Sequence, residues 1–411
     1  MITREICLTL DAKDPFKAHR SNYILPKDTI YLDGNSLGPM PQGVQARVAH
    51  AMDVEWSQDL ITSWNKHHWF HMPRSIGDKI SRLIGGGDNN CIVADTISVN
   101  MFKVLTAALG LRRDRKLILS DSGNFPSDLY VAQGLNVFLQ DGHALKVVAP
   151  EEVAAHITED VAVVMLTEVD YRTCRRHNMK VLSKLAHDMG CIIIWDLAHS
   201  AGAVPVDLLG SDADFAVGCT YKYLNGGPGS AAFIWVHPRH QKTAESALVG
   251  WWGHATPFAF DPQWQAADGL VRMQCGTQGI LSLVALDAAM HTWDGVDMQA
   301  LQKKSHSLCQ LFIDIVERDC ARHNLKLVGP RNMQQRGSHV SFECAEGYAI
   351  MQALIARGII GDFRAPNIIR FGFAPLYNSH VEVFDAAAAL AVILDKRIWD
   401  TPEFLAKKSV T

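Results

Sequence analysis

The 411-residue sequence is most informative at first for what it lacks. No apolar run approaches the ~20 residues that a membrane-spanning helix needs. Residues 1–20 hold no hydrophobic stretch of the kind that leads a secreted protein. There is no excess of positive charge: 39 basic against 43 acidic residues give a net charge of −4. A surface built for nucleic acid or anionic lipid is therefore not expected. The nine cysteines are scattered, and no two form a CxxC pair. Reduced, mostly structural thiols in a cytoplasmic protein are the natural expectation. Internal repeats, low-complexity tracts and Ser/Gly/Pro linkers are also missing.

What is present is a balanced globular composition, 48% hydrophobic and 20% charged, in a chain too long for one ordinary core. From about Gly85 to Pro238, short apolar runs alternate with helical patterns. The runs are CIVAD (91–95), KLILSD (116–121), VAVVML (161–166), CIIIWD (191–196), DFAVGCT (214–220) and AAFIWV (231–236). Runs apolar on both faces, with helix-like stretches such as Asn100–Leu111 and Val181–Met189 between them, predict a mostly parallel sheet covered on both sides. The last two runs are too close for a helical crossover, so that pair should be antiparallel. From about Gln299 the pattern changes to a smaller α+β lobe. It has helices near 301–322 and 347–358 and strands at 339–344 and 367–373. The expected division is an N-terminal segment (1–45) packing on the small lobe, a large domain (46–298) and the small C-terminal domain (299–411).

Ligands of open parallel sheets sit at the carboxyl ends of the strands. There the sequence places Asp95-Thr96, Asp121, Thr167, Asp196 and Thr220, and just beyond them TYKYLNGGPGS with Lys222 between two tyrosines. A lysine partly withdrawn from water is nucleophilic toward an aldehyde. A carboxylate at the same edge can keep a pyridine nitrogen protonated. Together they are what pyridoxal phosphate requires. Its phosphate needs a helix N-terminus with hydroxyls, which Thr96-Ile97-Ser98 could offer. Other motifs carry less. His67 and His71 in HHWFH have metal-ligand spacing but no further ligand nearby, so no metal is expected. Gly85-Gly86-Gly87 lacks the Lys-Ser/Thr of a phosphate loop and reads as a helix stop.

Several segments, in order, resemble the kynureninases. They are YLDGNSLGPMP (31–41), the EW…SWN segment (55–65), NFPSD (124–128), WDLAHSAGAVPVDL (195–208), SDADFAVGCTYKYLNGGPGS (211–230), VGWWGH (249–254) and IIRFGFAPLYNS (368–379). The resemblance implies the fold-type-I architecture of pyridoxal-phosphate enzymes and the hydrolytic cleavage of L-kynurenine to anthranilate and L-alanine. It implies that Lys222 holds the cofactor as a Schiff base and then removes the Cα proton. Asp196 would pair with the pyridinium nitrogen, with His199 beside the ring, Phe125 stacked on it and Asp128 lining the pocket. Thr96, Ile97, Ser98, Tyr221 and Thr167 would complete the cofactor contacts, Tyr221 also serving as a proton relay. Arg370 would take the substrate α-carboxylate, with Ser36 and Trp64 among the substrate contacts. Trp251 and Thr277 would enter from the second subunit of a homodimer. Trp64, Trp69, Trp251 and Trp252 are candidates for the aryl slot, and an indole at 64 favours kynurenine over its 3-hydroxy form. Cys174 stands where the family pattern has glycine. The rival is another class V aminotransferase relative, such as a cysteine desulfurase; Cys344 is the only cysteine placed at all suitably for that chemistry.

Overall fold

The computed structural model describes residues 2–407. A seven-stranded sheet is built from β2 (Cys91–Val93), β3 (Leu117–Asp121), β4 (Ala144–Val148), β5 (Val161–Thr167), β6 (Ile192–Asp196), β7 (Phe215–Gly218) and β8 (Phe233–Val236), in the order β2-β8-β7-β6-β5-β3-β4. Strands β4, β3, β5, β6 and β7 run parallel, and β8 is antiparallel to both β7 and β2. The antiparallel final pair follows the expectation from spacing, since Gly218 and Phe233 leave no room for a crossover helix. Every residue of β5, β6, β7 and β8 is buried, as runs apolar on both faces demand. One face packs a core that includes Leu166, Trp195 and Trp235; the other packs Ile194, Phe215 and Ile234 with the helix Ile97–Gly110. Strand β4 was not among the apolar runs read from the sequence. It is an edge strand with three of five residues exposed, so it carries no buried-strand signature.

The smaller lobe is a four-stranded antiparallel sheet in the order β12-β13-β10-β9. Its strands are β9 (Lys326–Val328), β10 (His339–Glu343), β12 (Asp362–Arg364) and β13 (Ile368–Gly372). The helices Met298–Asp319, Gly347–Ile355 and His380–Asp395 share a core with it that includes Phe312, Phe342 and Phe371.

The N-terminal segment divides its packing. Helix Arg4–Ala12 lies along His380–Asp395, held by Arg4 to Asp385 (2.9 Å) and by Asp11 accepting from His380 (2.8 Å). Strand β1 (Ile30–Tyr31) adds in parallel to β11 (Ile359–Ile360). Phe16 and Tyr23, however, join the core of the large sheet. The segment thus contributes to both cores, its helix and β1 to the small lobe and these two aromatic rings to the large sheet. Its loop 33–38 bridges the lobes. Gly38 N donates to Tyr221 O (2.8 Å), and a Cβ on Gly38 would fall 2.3 Å from Lys222 O. Only a residue without a side chain lets the loop approach the lysine turn this closely. On the other flank, Cβ atoms on Gly34 and Gly372 would strike Tyr377 Oη and Asn35 Oδ1. The GNSLG, IIRFG and PLYN motifs are thus interlocked neighbours.

Candidate active site

The carboxyl ends of the central strands sort their polar residues by neighbour. Parallel register sets Thr167 of β5 beside Asp196 of β6. Asp95 instead pairs with the buried Lys103, Asp121 binds His177 Nε2 (2.6 Å), and the Thr220 hydroxyl donates to Ala231 O (2.6 Å). Those three brace the turns and do not line the site. Only Thr167 and Asp196 among the strand-end residues face the cavity, which measures about 160 Å³.

Ten of the expected residues line it: Ser36, Ile97, Phe125, Asp128, Thr167, Asp196, His199, Tyr221, Lys222 and Arg370. Four others were not picked out from sequence, namely Asn35, Tyr171, Ala198 and Arg364. Asn35 and Ala198 are immediate neighbours of residues that were, and adjacency in GNSLG and DLAH was the available signal. Tyr171 packs edge-on to Phe125, ring centroids 5.1 Å apart.

Lys222 follows the buried strand β7, and its Nζ lies 2.9 Å from His199 Nε2 and 5.9 Å from the ring centroids of Phe125 and Tyr221. Asp196 is buried and accepts from the Ala198 amide (2.7 Å). Desolvation nevertheless pushes its carboxyl up to about 6, outweighing the pull of Lys222 in the other direction. Asp128 is buried too, with Oδ2 lacking any partner, and burial next to Asp196 raises it well above the usual carboxylate range. The His199 imidazole is held neutral by burial and by nearby cations, and its Nδ1 is unpartnered. Burial likewise raises the Tyr221 phenol, which keeps its proton at neutral pH.

At the opposite wall, Arg370 is 1% exposed and heavily engaged. It donates to Tyr171 O (2.6 Å), to Ser36 Oγ (3.0 Å) and to Asp362. Asn35, with its amide oxygen turned to the guanidinium, accepts from Nε at 2.9 Å.

The remaining expected residues lie outside this cavity. Thr96 is exposed, its hydroxyl accepting from Val99 N as the cap of helix Ile97–Gly110, with Ser98 in the first turn. The first-turn amides there have no intrahelical partner, as at any helix start. Trp64 packs edge-on against Trp69 (5.6 Å) and at a tilt against Trp252 (5.2 Å). Trp251 packs on Trp252 and Phe258, and Thr277 is exposed. Cys174 takes the left-handed conformation (φ 62°) that glycine would favour, and its sulfur accepts from His339 N. The turn therefore forms without the glycine. Cys344 is buried at the end of β10 and burial raises its thiol, the opposite of what a nucleophilic cysteine needs. His67 bonds Asp59 (2.7 Å).

Comparison with known proteins identifies the family and the fold. Residues 301–390 match the family model described as the kynureninase C-terminal domain. A kynureninase from Pseudomonas fluorescens is 48% identical, and one from Burkholderia mallei 47%, each over the full length of both chains. Among solved structures, cysteine desulfurases from Thermococcus onnurineus and Escherichia coli superpose with TM-scores of 0.76 and 0.73. They cover 92% and 93% of this chain and 98% of their own, at 19% and 18% identity. That distance speaks to a shared fold, the fold-type-I architecture, and not to a shared reaction. With near-half identity along its entire length, the chain belongs to the kynureninase family.

Proposed function

We propose that the protein is a pyridoxal-phosphate-dependent hydrolase that cleaves the Cβ–Cγ bond of L-kynurenine, giving anthranilate and L-alanine. Family membership carries the reaction, and the placement of Lys222 against His199 and near the buried carboxylates of Asp196 and Asp128 is the structural observation that supports it.

The residues fit the cofactor. Asp196 and Asp128 form an acidic, desolvated floor on which Lys222 is the cation that acts among the described residues, and a protonated pyridine nitrogen would satisfy it. Lys222 and Asp196 would hold the group with His199, Phe125, Thr167 and Tyr221 around it, and the helix start at Thr96–Ser98 would meet the phosphate. Once bound, the cofactor supplies a sink for the electron pair released at Cα. Lys222 would hold the group in the resting enzyme and would carry the Cα proton once its amine is free. Water adds hydroxyl to the γ-carbonyl carbon, which leaves as the anthranilate carboxyl, and a proton goes to Cβ, which becomes the alanine methyl. Tyr221 keeps its proton at neutral pH and sits beside Lys222, so it suits delivery of that proton. Phe125 and Tyr171 line the cavity with aromatic surface.

The finer assignments belong to the same reading. Trp251 and Thr277 would complete a neighbouring site across a homodimer, consistent with the exposed apolar side chains of Val249, Phe258 and Phe260 around them. Nine free thiols and the absence of a helix long and apolar enough to cross a membrane, among the described residues, support a cytoplasmic enzyme of tryptophan catabolism. The three-part division at residues 45 and 298 is our working description of its domains.

The test is to mix the holoenzyme with L-kynurenine and follow anthranilate fluorescence while assaying alanine. Equimolar products are expected, with slower turnover of 3-hydroxykynurenine. A cofactor absorbance that responds to amino acids without anthranilate release would overturn the reaction.

A further inference from the structure

A carboxylate bound bidentately needs two parallel N–H groups on one guanidinium edge. Arg370 cannot present them as it stands. Of its five N–H donors, Nε meets Asn35, one Nη1 hydrogen meets Tyr171 O, and Nη2 serves Ser36 and Asp362. A single Nη1 hydrogen is left. Ser36 Oγ is itself full, accepting from both Arg370 (3.0 Å) and Arg364 (3.2 Å).

Arg364 is differently placed. Antiparallel register sets Asp362 directly opposite Arg370, and Arg364 lies two residues along the same strand, hence on the same face. Its Nε and Nη2 hold Asp362 (both 2.8 Å), while Nη1 has no partner among the described residues. Its side chain lines the cavity and is 36% exposed, against 1% for that of Arg370. Asp362, 3% exposed at its side chain, thus ties together a buried guanidinium and a partly exposed one. The local charge balance favours an incoming anion. Burial beside Asp362 pushes Asp33 up to about 7, so two arginines face little more than one full carboxylate near neutrality.

We infer that Arg364 is the second arm of the substrate-carboxylate clamp, binding the anion together with the remaining Nη1 edge of Arg370 while Asp362 positions both. The inference rests on the proposed function, with the amino-acid carboxylate as the ligand. Arg370 gives the site its fixed wall, and Arg364 supplies the free donors that a second carboxylate oxygen requires.

The experiment titrates the holoenzyme with L-alanine and, separately, with ethylamine, which is the same amine without the carboxylate, following the cofactor absorbance. Arg364→Gln is expected to weaken L-alanine about tenfold or more, the loss of a charge-assisted hydrogen bond, and to leave ethylamine within about twofold. Arg364→Lys should recover part of the loss, because charge returns without the fork. With kynurenine, KM should rise while kcat stays within about threefold. Equal weakening of both amines, or unchanged alanine affinity, would overturn the assignment. Thermal unfolding of each variant separates misfolding from lost contact. A wild-type enzyme that binds alanine but releases no anthranilate would sink the kynurenine reading while leaving this comparison legible.

Discussion

The two walls of the cavity are built on opposite principles. On the large-sheet side, Asp196, Asp128 and His199 are buried, Asp128 Oδ2 and His199 Nδ1 are left without partners, and desolvation shifts each of the three toward its neutral form. On the small-lobe side, Asn35, Ser36, Asp362, Arg364 and Arg370 bond mostly to one another, with only Nη1 hydrogens of the two arginines left over. Unsatisfied buried polar groups cost stability unless something arrives to pair them. Under the proposed function, the first wall would take the cofactor that pairs its leftover atoms, and the second, already largely self-paired, would take the substrate carboxylate.

That contrast can be broken first at the residue between the walls. Lys222→Ala should lower kynurenine turnover by about 10²–10⁴-fold, checked by anthranilate fluorescence with cofactor in excess. The walls should then respond with opposite signs to loss of a carboxylate charge. Asp362→Asn leaves Arg370 under-compensated in the interior, and we expect a loss of about 3 kcal/mol in unfolding free energy, read by denaturant melts of the cofactor-free protein. Asp196→Asn should stabilise that same cofactor-free protein at pH 7.5 while lowering holoenzyme activity. The sign follows from linkage. The folded-state carboxyl titrates at about 6 against an ordinary value of 3.8. Its favourable contribution is thus complete below about 4 and lost as pH rises through 6. The melting-temperature advantage of the asparagine variant should accordingly shrink between pH 7 and pH 4.5, and a constant offset would contradict it. The smallest effect concerns the aromatic cluster outside both walls. Trp64→His should raise the relative rate on 3-hydroxykynurenine by less than about tenfold, measured as the ratio of kcat/KM for the two substrates.

The large-sheet wall was far more legible in the sequence than the other. Strands β3, β5, β6 and β7 are buried on both faces, so their composition alone betrays them. Asp196, Thr167 and Lys222 follow from those strands by simple adjacency. The small-lobe wall depends on β12, a three-residue strand reading DFR, whose polar face turns inward toward another polar cluster. No hydrophobic alternation marks such a strand, so Arg364 went unnoticed although it lies six residues before Arg370. The strand-end residues Asp95, Asp121 and Thr220 mark the opposite limit. Pattern placed them at the correct edge, but only the contacts with Lys103, His177 and Ala231 show that they brace turns.

The hydrogen bond from Arg370 to Ser36 joins positions 334 residues apart in the chain. At ribosomal speeds of about 5–20 residues per second, the segment carrying Ser36 is made roughly 20–70 s before its partner exists. The lysine and its acidic floor can assemble during that interval, but the wall facing them cannot. The cavity is therefore closed on its small-lobe side only after synthesis has passed β13.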